Sequence, residues 1–182
     1  NLLGENWFTE VTFDNVRVPV TELVGRENEG WAVLTSALGV ERITIYRAYI
    51  HWRALLALVR HARRHAGRDG GPMNRLAQLR VEYEVAGLLL QRAIQMHASG
   101  TDYRAQAAAV KVFNTEFAQR LYAEGVAVLG MHGQLRDGDS RAPWDGAIAH
   151  TYLSAAQDTI GGGTSEVQRE IIALRGLGLP RG

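Results

Sequence analysis

The 182-residue chain carries 20 Lys and Arg against 19 Asp and Glu, is 46% hydrophobic and has no cysteine. That length buries one good core, and a nearly balanced charge leaves no basic footprint for nucleic acid. Without thiols the common thiolate metal sites are excluded, the histidines lack zincin spacing, and no run of about 18 apolar residues exists to span a membrane. The first twenty residues show no signal-peptide pattern, and a cysteine-free chain suits a reducing cytosol, so a cytoplasmic location is expected.

Residues 7–18 set Trp7, Val11, Phe13, Val16 and Val18 among polar residues, with Asp14 and Asn15 between them. The pattern predicts a short strand, a turn and a second strand closing at Pro19. Two strands rarely hold together alone in water, so this piece calls for a sheet from elsewhere. From about Gly30 to Arg64 the period turns helical. Leu34, Leu38, Glu41, Ile45, Ala48, Trp52, Leu55 and Val59 recur at steps of three and four along one side of a long helix, which puts Glu41 inside the apolar seam.

A second helix is predicted over 74–99, through Leu76, Leu79, Tyr83, Ala86, Leu90 and Ile94. A third covers 102–129, through Ala108, Val112, Phe113, Phe117, Leu121 and Val128, and stops at Gly130. A Gly-, Asp- and Arg-rich loop over 131–143 leads to a fourth helical segment at 144–158. Short connections between long amphipathic helices favour antiparallel neighbours, hence a mainly α, up-and-down four-helix bundle.

The glycine run Gly161–Gly163 frees the backbone for a turn that other groups can approach closely. After it Ser165 reads as an N-cap, with Gln168 completing a capping box. Val167, Ile171, Ile172 and Leu174 give a partly apolar helix face, Gly176 a stop, and Pro180 a bar to resumption. A helix start of this kind offers unpaired N–H groups to an anion or a polarised oxygen. It is not a nucleotide-binding P-loop, since no Gly-Lys-Ser/Thr follows the glycines. Glu41 is the leading candidate for chemistry. A carboxylate on an apolar face is costly unless paired, protonated or used, and burial would raise its pKa towards the range of a working base. A core carboxylate paired with an arginine from another helix satisfies the same spacing.

The segment Ile160-Gly-Gly-Gly-Thr-Ser-Glu-Val-Gln-Arg-Glu, running on to Leu177-Gly-Leu-Pro-Arg181, resembles the C-terminal signature of the acyl-CoA dehydrogenase family. A second passage also resembles that family: Val11-Thr-Phe-Asp-Asn-Val-Arg-Val-Pro19, then Leu23-Val-Gly25, Gly30-Trp31 and Glu41-Arg42. There the family leaves its middle β domain for its C-terminal helical domain. The resemblance implies that residues 1–27 end the middle β domain and 28–182 form the helical-bundle domain. With no start methionine before Asn1, it also implies a piece of a longer polypeptide, inactive alone.

The function so implied is α,β-dehydrogenation of an acyl-CoA thioester, with FAD as cofactor, an electron-transfer flavoprotein or similar acceptor, and a homodimer or homotetramer. Most members carry the base just before Gly-Thr-Ser, where this chain has Gly162. Others carry it in a Glu-Arg pair on the first long helix, which Glu41-Arg42 matches. By resemblance, Arg42 and Gly162 meet the substrate and Thr164 and Glu166 touch the flavin. Arg63 matches the start of the family's Arg-x-x-Phe-Gly, read here as Arg63-Arg-His-Ala-Gly67, and the resemblance implies that it reaches a neighbouring subunit's flavin pyrophosphate. Gly130 and Gly133 match Leu-Gly-Gly-x-Gly, which by resemblance also approaches the flavin, with Met131 in place of a glycine. The departures at Ala66, Met131 and Gly162 keep two alternatives open: a flavin monooxygenase or a non-catalytic partner subunit on the same scaffold. A helical interaction module without catalysis is a third reading.

Overall fold

The computed structural model describes residues 1–6, 8–44, 48–65 and 71–181, without the side chains of Ala48 and Tyr49. Trp7, Ile45, Ala66 and Gly67, which the sequence reading uses, lie outside the described residues, as does the Ala48 side chain. Among the described residues six α-helices follow in order: α1 Gly30–Thr44, α2 Ala48–His65, α3 Gly71–Ala98, α4 Arg104–Leu129, α5 Ala147–Asp158 and α6 Ser165–Ile171. The mainly α bundle expected from the sequence is what forms. Among the described residues no helix is long and apolar enough to cross a membrane.

Helix α4 is the axis of the bundle. It packs on α3 and α5 most extensively, and on α1, α2 and α6 as well. Its buried residues run from Ala107 to Leu129 and include Val110, Phe117, Leu121 and Tyr122. They point several ways round the helix, which is how a helix enclosed on more than one face reads. Gly125 makes this enclosure possible. A Cβ there would stand 3.0 Å from Ile148 of α5 and 3.2 Å from Leu58 of α2.

The main core joins Leu55, Leu58, Leu76, Leu79, Phe117, Leu121 and Ile148, all buried. Each such aliphatic side chain contributes about 1.5–3 kcal/mol when removed from water. At the rim, Trp52 stacks on Tyr83 at 5.2 Å, with the Arg80 guanidinium 4.6 Å above the Trp52 ring. Ion pairs Arg75–Glu124 (2.8 Å) and Arg120–Glu82 (2.6 Å) lace α3 to α4. Partly exposed pairs of this kind contribute about 0.2–1 kcal/mol each.

Two expectations about the first third of the chain need correcting. Among the described residues the N-terminal segment forms no strand; only a short helical turn, Val20–Glu22, appears there. Phe8, Val11, Phe13, Val16 and Val18 are more than 60% exposed, because alternating residues become a strand only when a partner strand pairs with them. Among the described residues of this segment Leu3 is buried on the bundle, its carbonyl accepting from Arg136 at 3.0 Å.

The second correction concerns the phase of α1. Its buried residues are Gly39 and Ile43, while Leu34 and Glu41 are exposed. A Cβ on Gly39 would meet the Tyr103 hydroxyl at 3.2 Å, so the helix presents its smallest residue to the bundle. The seam therefore runs through 39 and 43, and Glu41 points away from it.

Gly133 has a packing role that its motif does not reveal. It is buried, and a Cβ there would lie 2.7 Å from the Val126 carbonyl oxygen and 2.9 Å from Val126 Cα. Both are backbone atoms and cannot swing aside. Gly133→Ala is therefore expected to destabilise the bundle by about 1–3 kcal/mol, the usual penalty of overpacking. Thermal unfolding with and without added flavin checks this: the loss should persist when flavin is absent.

Candidate functional site at the glycine bend

Residues 160–164 turn the chain between α5 and α6. Gly162 and Gly163 have φ of +68° and +101°, conformations that side chains resist and glycine accepts. The bend is closed by the Ser165 N–H donating to the Thr159 carbonyl at 3.0 Å. Thr164, not Ser165, is the N-cap of α6: its Oγ1 accepts from the Val167 N–H at 3.3 Å. Ser165 becomes the first helical residue and is buried. Gln168 does not complete a capping box. Its Nε2 instead donates to the Gly162 carbonyl at 3.3 Å. The helix then loosens into a wider turn over Ile172–Gly176.

Arg42 reaches the same carbonyl from α1, its Nε donating to Gly162 O at 3.4 Å. The Glu41-Arg42 pair and the glycine bend, 120 residues apart in sequence, are thus neighbours in space. Burial lowers the Arg42 pKa from its ordinary value, and the adjacent Glu41 charge offsets part of that. Glu41 itself is exposed, which corrects the expectation of a buried acid. Trp31, Leu34 and Val40 of α1 are exposed as well, apolar groups left uncovered among the described residues.

Beneath the bend lies a polar patch that sequence reasoning missed. Lys111 and Gln168 are fully buried, with Asn114 and Ser165 nearly so. Lys111 Nζ, both amide atoms of Asn114, Ser165 Oγ and Gln168 Oε1 have no hydrogen-bond partner. Burial lowers the Lys111 pKa, while the charges of Asp158, Glu116 and Glu166 raise it and that of Arg42 lowers it further. Those neighbours put the lysine between α1, α5 and α6, under the bend. Lys111 and Asn114 sit three apart on α4, Ser165 and Gln168 three apart on α6, each pair on one helix face. The signal was in the sequence: Lys111 and Asn114 interrupt an apolar helix at inward positions.

Beside the bend a cavity of about 430 Å³ is lined by Glu116, Arg120, Thr159, Thr164, Glu166 and Arg169. Arg169 is paired with Glu116 at 2.6 Å, which ties α6 to α4. Glu166 is exposed. Its carboxyl is held below the usual range, first by its own backbone N–H and then by the Thr164 hydroxyl. The other proposed cofactor residues cluster elsewhere. Arg63 is exposed in the last turn of α2. Gly130 and Gly133 flank the turn after α4, and His132 in that turn lies within electrostatic reach of His61, two residues before Arg63. From Glu116 to Leu129 along α4 is about 20 Å at 1.5 Å per residue. The structure therefore brings Arg63, Gly130 and Gly133 to one end of the bundle and Arg42, Gly162, Thr164 and Glu166 to the other, and does not join the two groups.

Groups able to bond a phosphate or a ribose hydroxyl stand at both places. Thr164 offers a hydroxyl at one, where the guanidinium groups of Arg120 and Arg169 are already paired with Glu82 and Glu116, and Arg63 an unburied guanidinium at the other. Glu166 would repel a phosphate and suits a ribose hydroxyl.

Residues 28–177 match the family model described as acyl-CoA dehydrogenase, C-terminal domain. The chain is 33% identical to "Acyl-CoA dehydrogenase FadE26" of Mycobacterium tuberculosis, across 93% of this chain and 45% of that protein. It superposes on the structure titled "Tcur3481-Tcur3483 steroid ACAD" with a TM-score of 0.86 at 30% identity, covering 93% of this chain and 45% of the other. The ChsE4-ChsE5 complex from Mycobacterium tuberculosis gives a TM-score of 0.79 at 32% identity, over 93% and 46% of the two chains. The chain spans rather less than half the length of the relatives it matches.

Proposed function

The chain belongs to the acyl-CoA dehydrogenase family, of which it carries the C-terminal helical domain, and from that premise we propose that it helps build a site for α,β-dehydrogenation of an acyl-CoA thioester. The supporting observation is the Arg42–Gly162 contact, which sets a Glu-Arg pair against the glycine bend. In this reading FAD, when bound, would supply the oxidant for the hydride lost from the β carbon. Thr164 and Glu166 would hold it at the bend, and Arg63 with Gly130 would serve the cofactor of a second subunit.

Glu41 takes the α proton. Gly162 cannot serve as that base, having no side chain. What Gly162 offers is backbone: N–H groups of the bend that polarise the thioester carbonyl, an effect of about 3–4 kcal/mol for a well-placed donor. Glu41 is exposed on a side of α1 whose apolar neighbours are uncovered, and that side is where the rest of a full-length subunit would close over the substrate. Desolvation on closure would strengthen it as a base. The whole protein's electron acceptor would be an electron-transfer flavoprotein or similar acceptor, and its assembly a homodimer or homotetramer.

A second reading, a partner subunit without its own catalysis or a flavin monooxygenase on the same scaffold, is favoured by Gly162 at the usual base position and by the exposure of Glu41. Two relatives are described as two-component assemblies, one of them as a steroid enzyme, so bulky acyl groups belong among the first substrates tried. The test is anaerobic bleaching of the yellow flavin by a panel of acyl-CoA thioesters added to the complete polypeptide. Bleaching by at least one thioester supports dehydrogenation. A yellow protein that none bleaches supports the second reading, and a colourless one the interaction module.

A further inference from the structure

Gly162 and Gly163 are the least restrained residues at the site, yet the carbonyl between them is held from two sides. Arg42 Nε donates to it from α1 and Gln168 Nε2 from α6. In a trans peptide the C=O and the following N–H point in opposite directions. Drawing the Gly162 oxygen inward therefore turns the Gly163 N–H outward. Among the described residues neither the Gly162 nor the Gly163 N–H donates to the protein backbone, so both are free for a ligand. Gln168 is well placed for this work. It is fully buried, and its Nε2 occupies the space that a side chain on Gly163 would need.

The surroundings of Gln168 point the same way. Its Oε1, Ser165 Oγ, Lys111 Nζ and the Asn114 amide are all buried and unpartnered. A contact made only for stability would be apolar here, since unsatisfied buried polar groups weaken a fold. Gln168, whose amide bonds the bend, keeps its polarity at that cost beside a candidate site, the pattern expected of a residue that function requires.

We propose that Gln168 is a positioning residue for the reaction: with Arg42 it clamps the Gly162 carbonyl, so that the N–H groups of the bend stay aimed at the carbonyl of the substrate. This rests on the dehydrogenase reading above. Gln168 itself touches neither the thioester nor the flavin.

The test compares single-turnover flavin reduction in full-length wild type, Gln168→Met and Ser165→Ala. Methionine keeps the length of the side chain and removes the donor. Gln168→Met is expected to reduce its flavin about ten- to a hundred-fold more slowly, with the substrate dissociation constant moving far less, because the lost interaction is strongest in the transition state. Ser165→Ala, in the same buried interface but without a bond to Gly162, should keep the wild-type rate. If Gln168→Met does not fold, Gln168→Glu replaces it. That variant keeps the shape and donates only when protonated, so its rate should rise relative to wild type as pH falls.

A Gln168→Met rate within about two-fold of wild type overturns the proposal. So does an equal loss in Ser165→Ala, which would mark the effect as one of packing, and so does a Gln168→Glu profile parallel to wild type. Wild-type enzyme that no thioester bleaches is a different result: it removes the dehydrogenase reading and this inference with it.

Discussion

Glu41→Gln in the complete polypeptide is expected to keep flavin and acyl-CoA bound while flavin reduction slows by about 10²–10⁴-fold, the span that a positioned general base contributes. Glutamine has the same shape and can hold the same neighbours, but it cannot accept the α proton. Because Glu41 is exposed on α1, the substitution should alter stability by less than about 0.5 kcal/mol. A rate loss at unchanged melting temperature would therefore report chemistry. Stopped-flow mixing with excess acyl-CoA separates the two, since the dissociation constant comes from the concentration dependence and the chemical step from the plateau. Reduction at the wild-type plateau would take Glu41 out of the mechanism and favour the partner-subunit reading.

Phe117→Ala is expected to be the most damaging single change in the bundle. Phe117 is fully buried on α4, in the core with Leu55, Leu58 and Leu121. Its ring meets His51 edge-on at 6.0 Å and lies 6.3 Å from Tyr83. Truncating a core phenylalanine to alanine costs about 3–5 kcal/mol, through lost burial and the cavity left behind. At about 2–4 °C per kcal/mol for a chain of this size, the melting temperature should fall by roughly 6–20 °C. Phe117→Leu, which keeps most of the volume, should lose much less. A fall of only a degree or two for the alanine variant would mean that α4 is not the centre of the core.

Much of this architecture was legible in the sequence because helical periodicity records burial. The predicted 74–99 and 102–129 became Gly71–Ala98 and Arg104–Leu129, and Leu76, Leu79, Ala86, Phe117 and Leu121 are core as expected. The phase of α1 was not legible. Leu34 and Glu41 satisfy a three-and-four pattern as well as Gly39 and Ile43 do, and only the approach of Tyr103 to Gly39 decides between them. At the bend the glycines announced a turn, but the cap moved by one residue. Thr164 and Ser165 are both competent caps, and the buried position went to the serine. The contact that joins Arg42 to Gly162 spans 120 residues, and no local pattern encodes such a distance. The strands expected before Pro19 failed for a similar reason: among the described residues no strand is there to pair with them.

Phe8, Val11, Phe13, Val16, Val18 and Val20 form a β-prone stretch, all more than 60% exposed. Such a stretch, lacking a sheet of its own, recruits a copy of itself, and edge-to-edge stacking between molecules grows into precipitate or fibre. A preparation of the bundle begun near Arg26 sheds that hazard, at the loss of the Leu3 anchor to Arg136. Poor solubility of the longer piece would thus say nothing against the soundness of the helices behind it.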